Sequence, residues 1–179
     1  MFGIERKNMA FYLGAIFIFV VLKFLYSNFN TAELFVLLKP TTVFIDVLTG
    51  AESIYMEDKG FFYESLNIII NKSCSGYHFL GLCFVMLSFL SIKYFDSNLQ
   101  KTMILVFAFL GAYIITIFVN SSRIIASLFF QKNLFHATDN LQGIVHESIG
   151  LITNLSFLIL TYLIVEKILI HKKNNAKLT

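Results

Sequence analysis

The chain has 179 residues, of which 57% are hydrophobic and only 14% charged, with 21 phenylalanines and a mean hydropathy of +0.74. Soluble domains carry about a quarter charged residues, so most of this surface must face lipid or other apolar helices. The net charge of +3 is too small for a nucleic-acid-binding protein, and two cysteines do not make a disulfide framework. The composition predicts an integral membrane protein with a single domain over residues 1–179.

Four apolar runs are long enough to cross a bilayer, which takes about 20 helical residues. They cover residues 9–27, 77–95, 102–119 and 147–170. The first run follows two basic residues, so a cleaved signal peptide is the competing interpretation. Its length, the presence of Lys23 and the lack of a small-residue cleavage site favour a retained anchor. The predicted fold class is an all-α polytopic membrane protein with about four transmembrane helices.

Residues 31–50 are the main ambiguity of this topology. Glu33, Lys39 and Asp46 are spread through the segment, together with the single proline. Each charge at the bilayer centre would cost about 2.5–3.5 kcal/mol. We therefore expect an interfacial or re-entrant amphipathic helix rather than a fifth span. If the segment did span, every loop after it would change sides.

Two short β-prone stretches precede the second apolar run. They are "FFYE" at residues 61–64 and "NIIIN" at residues 67–71, and the turn-like "EDKG" precedes them. We expect a small extracytoplasmic β-hairpin at the membrane surface. It must be buried against the helices or lie in water, because an open sheet edge cannot sit in lipid.

The charges of the loops set the orientation. With four spans, the side that holds both termini carries eight basic and three acidic residues, whereas the other side carries five basic and eight acidic ones. Cytoplasmic loops are enriched in lysine and arginine, so both termini are expected in the cytoplasm. Residues 28–76 and 120–146 are then expected outside.

Three chemically able side chains are predicted to meet at this outer face. Cys74 precedes the second run, Arg123 ends the third and His146 opens the fourth. A helix N-terminus favours the reactive thiolate of a cysteine, and a guanidinium can hold a developing oxyanion. A histidine suits general acid–base work. Each also has a purely structural interpretation, as a small buried residue, a headgroup anchor or a hydrogen-bonding side chain.

Four further residues extend this group as substrate-binding or supporting candidates. The serine and glycine after the cysteine suit the start of a helix. An asparagine lies three residues before the arginine on the same helical face, and a second glycine, one turn after the histidine, allows a neighbouring helix to approach closely. These four residues are Ser75, Gly76, Asn120 and Gly150.

Other cysteine and histidine pairings remain open at this point. Nine residues of helix would put Cys83 about 13 Å from Cys74, beyond the limit of roughly 7 Å for a disulfide, so Cys83 is interpreted as a packing residue. His78 shares a helical face with Cys74, and His136 lies in the outer loop. Residue types alone do not choose among the three histidines. They lack the spacing of a metal site, and neither a metal nor a cofactor is expected.

The motifs "SCSG", "NSSR" and "HESIG", in this order, resemble the exosortase/archaeosortase family of polytopic membrane cysteine transpeptidases. That family carries a cysteine in C-S-G, an arginine in N-x-x-R and a histidine in H-x-x-x-G. The resemblance covers residues 55–154, and the short chain is similar to the compact members, exosortase K among them. It implies that Cys74 is the nucleophile, Arg123 the transition-state stabiliser and His146 the general acid and base.

The resemblance also implies a function and a location. The protein would be a cysteine peptidase or transpeptidase of a prokaryotic cytoplasmic membrane, with its active site at the extracytoplasmic face. It would cleave the C-terminal sorting signal of membrane proteins, which comprises a recognition motif, a transmembrane helix and a basic cluster. A thioester acyl-enzyme would pass the product to a glycan, a lipid or water. The alternatives are a protease that only hydrolyses and a non-catalytic membrane scaffold or transporter subunit.

Overall fold

The computed structural model describes the backbone of residues 6–57, 59–95, 97–134 and 139–175, and the side chains of residues 8–57, 59–95, 97–130 and 147–175. The chain is mostly helical, at 80%. One-turn 3-10 helices at Ala32–Leu34 and Lys72–Cys74 precede the second and third α-helices. The α-helices are α1 (Arg6–Asn28), α2 (Phe35–Thr49), α3 (Tyr77–Ile92), α4 (Asn98–Leu134) and α5 (Asp139–Asn175).

Four helical stretches in the described part of the chain are long and apolar enough to cross a membrane. Their number agrees with the four apolar runs of the sequence, and each overlaps one of those runs. Long apolar segments become helices in lipid because a helix satisfies every backbone hydrogen bond within the segment. The stretches are Asn8–Asn28, Lys72–Ile92, Asn98–Phe130 and Glu147–Asn175.

The third and fourth of these helices are longer than the sequence predicted. Both α4 and α5 have 37 residues, which corresponds to about 55 Å of helix. Helix α4 continues past Arg123, and α5 begins about two turns before His146. The prediction that Arg123 ends one helix and His146 opens the next is therefore wrong. Most of the expected outer loop at residues 120–146 is helical.

The polar run in the middle of α4 does not interrupt the helix because its hydroxyls bond within it. Ser121 Oγ donates to the carbonyl of Ile117 at 2.8 Å, and Ser122 Oγ donates to that of Phe118 at 2.9 Å. Such bonds to the preceding turn satisfy a serine without ending the helix. The sequence pattern resembled a helix end, but the hydrogen bonds show a helix interior.

The chain forms two compact units, one of Met1–Ser27, His78–Ile114 and Leu158–Thr179, and one of Asn28–Tyr77 and Ile115–Phe157. In the first unit, Phe19 of α1 packs so closely on Gly81 of α3 that a Cβ there would lie 3.0 Å from its ring. The second unit holds α2, a small sheet, and parts of α4 and α5. The predicted nucleophile, arginine and histidine and their four supporting candidates belong to this second unit, whereas the alternative histidine His78 belongs to the first.

The sheet has three antiparallel strands rather than the two that were predicted. The predicted hairpin is its second and third strands, and the first strand was missed because three residues are too few to show an alternating pattern. At Gly60 the backbone has φ +101°, and a Cβ would lie 2.3 Å from the carbonyl oxygen of Ile70, so only glycine fits. The strands are β1 (Ile54–Met56), β2 (Gly60–Tyr63) and β3 (Ile68–Ile70), in the order β1-β2-β3.

Helix α2 accounts for the ambiguous segment at residues 31–50. Its 15 residues make about 22 Å of helix, short of the roughly 30 Å of a bilayer core. The helix by itself is thus shorter than a span, and its interfacial or re-entrant position stays a prediction. The face turned inward is buried and comprises Leu37, Leu38, Thr41, Thr42 and Ile45. The opposite face exposes apolar side chains, with Val36, Val43 and Val47 exposed by 67%, 46% and 79%.

The three charged side chains of this segment all have partners, which explains how they occur in an apolar stretch. A charge near lipid is tolerated when a hydrogen bond or an aromatic face compensates it. Glu33 accepts a hydrogen bond from the Asn30 backbone, Lys39 Nζ lies 5.4 Å from the centre of the Phe61 ring, and Asp46 accepts one from the Tyr63 hydroxyl.

Tyr63 joins the sheet to α2. The side chain is fully buried, and its hydroxyl contacts both the Asp46 carboxylate and the Thr42 carbonyl oxygen, the latter at 3.1 Å. Burial raises the pKa of Tyr63, and the adjacent Asp46 carboxylate raises it further, because both oppose the phenolate. Tyr63 therefore acts as a neutral hydrogen-bond donor that fixes the sheet on α2.

We expect the contribution of Tyr63 to stability to decline in alkali. Because its pKa is raised in the folded protein, the contribution is full below about pH 10 and is lost as the pH rises further, since the unfolded chain then releases a proton that the folded chain retains. Tyr63→Phe should cost about 1–2 kcal/mol at neutral pH, and the deficit should shrink above about pH 10.

The measurement is thermal unfolding in detergent from pH 8 to 11, with Tyr55→Phe as the control at a tyrosine that is 40% exposed. A deficit for Tyr63→Phe that stays constant over this range would contradict the expectation.

Candidate active site

Cys74 lies at the end of the 3-10 turn that precedes α3. The Asn71 side chain accepts the Ser73 N–H at 3.1 Å and the Ser73 hydroxyl at 2.7 Å, and the Cys74 N–H donates to the Asn71 carbonyl at 2.9 Å. The thiol is free and half-buried, with Sγ 3.8 Å from Ser73 Oγ. Asn71 was not singled out from the sequence, although an asparagine two residues before a serine is the usual signal of such a turn.

Gly76 is required by both its backbone and its surroundings. Its φ is +69°, and a Cβ would lie 3.0 Å from Asn120 Cγ and 3.1 Å from Thr116 Cγ2. The turn after Cys74 therefore lies directly against α4. Beside it, Ser75 is 1% exposed, and its hydroxyl accepts the N–H of Tyr77 at 3.4 Å, at the first turn of α3. Thr116, which is fully buried, was not identified from the sequence.

Asn120 tethers the cysteine turn to α4. The residue is 3% exposed, and its Nδ2 donates a hydrogen bond to the carbonyl oxygen of Cys74. Its Oδ1 is buried and has no hydrogen-bond partner among the described residues. This hydrogen bond fixes the orientation of the Asn120 amide, because a flipped amide would place Oδ1 against the Cys74 carbonyl oxygen, and both atoms are acceptors. Asn120 thus holds the backbone of Cys74 and leaves an acceptor beside it.

Arg123 follows Asn120 by three residues and lies on the same face of α4. Its Nε is buried and, within the described part of the chain, has no hydrogen-bond partner. The side chain lies along Gly150 of α5, where a Cβ would be 3.4 Å from Arg123 Cδ and 3.9 Å from one terminal nitrogen. A buried N–H without a partner costs about 1–3 kcal/mol, so it calls for an explanation such as a ligand or a catalytic role.

The structure describes the three candidate histidines to different extents and does not place them together. The backbone of His146 lies in α5, one turn before Gly150, but its side chain is outside the described residues, as is the whole of His136. His78 is exposed and belongs to the other unit, where its ring packs edge-on against Tyr26 with 4.5 Å between centroids. Helix α4 therefore contacts the Cys74 turn through Asn120 and contacts Gly150, one turn after His146 in α5, through Arg123.

The second cysteine is separate from this arrangement. Cys83 is fully buried and free, and both described thiols are unpaired, which agrees with the prediction that they do not form a disulfide. Among the described residues, no group of three or more histidine, cysteine, aspartate or glutamate side chains could hold a metal ion.

The arrangement combines a thiol on a tethered turn with a partly buried cation on the adjoining helix. A thiolate is the nucleophile of acyl transfer, and a guanidinium is suited to the negative charge that develops on the attacked carbonyl oxygen. Comparison with protein-family models, with curated protein sequences and with solved structures found no match. The functional assignment therefore depends on the residues and their contacts.

Proposed function

We propose that this protein is a membrane-embedded cysteine peptidase or transpeptidase of the exosortase type, with Cys74 as its nucleophile. The observation that carries the proposal is the hydrogen bond from buried Asn120 to the Cys74 carbonyl. One turn further along the same face of α4, Arg123 Nε is buried and has no partner among the described residues. An arginine that merely anchored a helix at the headgroups would keep its guanidinium in a polar environment. A desolvated N–H beside a thiol turn fits an oxyanion that forms only during reaction.

The proposed reaction has two steps, formation of a thioester and its cleavage, and His146 carries the proton in both. The Cys74 thiol transfers its proton to His146, and Sγ attacks the substrate carbonyl carbon while Arg123 stabilises the oxyanion. The carbon–nitrogen bond then breaks, and the leaving amine takes the proton from His146, which gives a thioester. An incoming hydroxyl or water loses its proton to His146, attacks the thioester and releases Cys74, which recovers the proton.

The proposed topology has four spans with both termini in the cytoplasm, and the site faces outward. Exposed apolar residues recur every four positions along α5, where Leu151, Leu155 and Ile159 are exposed by 65%, 53% and 52%. This stripe begins one residue after Gly150, which adjoins Arg123. A substrate helix packed on it would end beside Gly150 and Arg123. The stripe thus supports substrates that are themselves anchored by a transmembrane helix.

Cys74 is the first residue to test, with Cys83 as the matched control. We expect a membrane-impermeant thiol reagent to label Cys83→Ala in intact cells but not Cys74→Ala, because Cys83 is fully buried and Cys74 is half-buried. Labelling that instead persists in Cys74→Ala, or that is absent while a control outer thiol reacts, would contradict the proposed outer nucleophile.

Turnover separates the enzyme from its alternatives. Intact mass measurement of the purified protein should show a hydroxylamine-sensitive adduct on Cys74, absent from Cys74→Ala. A free carboxyl terminus on the product would indicate hydrolysis, whereas an adduct there would indicate transfer. If Cys74→Ala and Cys74→Ser process membrane proteins as fast as the wild type, the chain is a non-catalytic scaffold and the proposal fails.

A further inference from the structure

Lysines and aromatic rings gather in the first unit where α3 and α5 end. Lys93 Nζ and Lys173 Nζ lie 5.6 and 5.9 Å from the centre of the Tyr94 ring, and Lys172 Nζ lies 5.2 Å from that of Phe95. We call these five residues the basic–aromatic cluster. Two ammonium groups thus share one ring, and a third lies over the next ring in the sequence.

The charge of the cluster is not neutralised within the described residues. No ion pair joins its three lysines to a described carboxylate, and all three are exposed. Glu166, an acidic residue of the same part of α5, instead accepts a hydrogen bond from the Tyr162 hydroxyl at 3.0 Å. Gathering like charges is unfavourable unless an anion joins them. The cluster therefore has the electrostatic character of an anion site.

A groove beside the cluster adds an apolar component. It is an open depression of about 520 Å³ along α5 next to Lys172, and its lining residues are Lys167, Ile168, His171, Lys172 and Asn175. From Ile168, which is 59% exposed, an apolar ridge continues at four-residue intervals along α5 through Ile164 and Leu160, exposed by 50% and 51%. A ligand that fits both parts has an anionic head and a hydrocarbon tail.

We propose that the basic–aromatic cluster and this groove bind one anionic phospholipid. The phosphate lies among the lysine ammonium groups and the acyl chains follow the ridge of α5. The location agrees with this ligand, because two helical stretches that are long and apolar enough to cross a membrane end at Ile92 and Asn175, and lipid headgroups surround the ends of such spans. The proposal is independent of the peptidase function, since the cluster belongs to the other unit from Cys74.

The test is a lipid titration of the full chain in a neutral detergent, read as the melting temperature. We expect short-chain phosphatidylglycerol to raise the melting temperature saturably and short-chain phosphatidylcholine to leave it unchanged. Replacing the paired lysines, as Lys172→Gln/Lys173→Gln, should weaken the apparent affinity by roughly tenfold or more. The control Lys23→Gln/Lys59→Gln removes the same charge elsewhere and should keep the wild-type affinity.

Three results would overturn the proposal. Equal losses in the two double variants would show that net charge alone attracts the lipid. An equal response to phosphatidylcholine would show that the headgroup charge is not recognised. If inorganic phosphate raised the melting temperature at the same concentrations as phosphatidylglycerol, the site would hold a free anion rather than a lipid.

Discussion

Replacing Arg123 with methionine is expected to lower the rate of substrate processing by about 10²–10³-fold, the usual loss on removing a donor to an oxyanion. The melting temperature should stay the same or rise, because the change removes a buried Nε–H that has no partner among the described residues. Under the proposed function the two effects are opposite, because the guanidinium serves an oxyanion that forms only during the reaction.

Two neighbouring changes make the Arg123 result interpretable. Arg123→Lys keeps the charge but loses the planar fork of donors, and we expect an intermediate rate. Ser122→Ala, at a hydroxyl bonded to the Phe118 carbonyl of its own helix, should process substrate at the wild-type rate. A fall in the melting temperature of Arg123→Met with unchanged processing would identify a helix anchor and contradict the catalytic role.

Gly76→Ala should damage both stability and turnover, because two independent constraints act at this position. A positive φ strains any residue with a Cβ by about 1–2 kcal/mol. In addition, the new Cβ would meet Asn120 and Thr116 at 3.0–3.2 Å and push apart the turn that carries Cys74 and the helix that holds it. We expect the melting temperature to fall by at least about 4 °C and processing by at least tenfold.

Gly50 provides the matched control for this substitution. Its φ of +68° is nearly that of Gly76, but nothing lies within 4 Å of a Cβ built there. Gly50→Ala therefore measures the backbone strain alone and should leave processing unchanged. If the two alanine variants lost the same stability and both retained activity, the contact of Gly76 with α4 would have no functional meaning.

Much of the fold followed from the sequence where one physical effect dominated. Four long apolar runs have no stable alternative in lipid to helices, so their number and approximate positions could be predicted. The ends of the helices could not be predicted, because the serines and the asparagine in α4 are compatible both with a helix end exposed to water and with the interior of a helix. Ser121 and Asn120 bond to a carbonyl of the preceding turn and to the Cys74 carbonyl, respectively, and only the folded chain reveals this.

The candidate site was predictable by residue type and less so by geometry. Cys74, Arg123 and His146 were chosen for their chemistry and their order along the chain. The tether from Asn120 and the close approach of Gly76 to Thr116 depend on how α3 and α4 meet, which no local pattern encodes. The side chain of His146 lies outside the described residues, so its role stays a prediction.

The way α2 compensates its charges has a consequence for biogenesis in the proposed topology. Lys39 and Asp46 are satisfied by Phe61 and Tyr63, which are synthesised after them. When α2 leaves the ribosome these partners are still inside the exit tunnel, and the translocon meets a segment with uncompensated charge, which it releases rather than inserts. In the proposed topology the helix therefore reaches its place only after β2 has also emerged, and assembly of this region depends on the sheet.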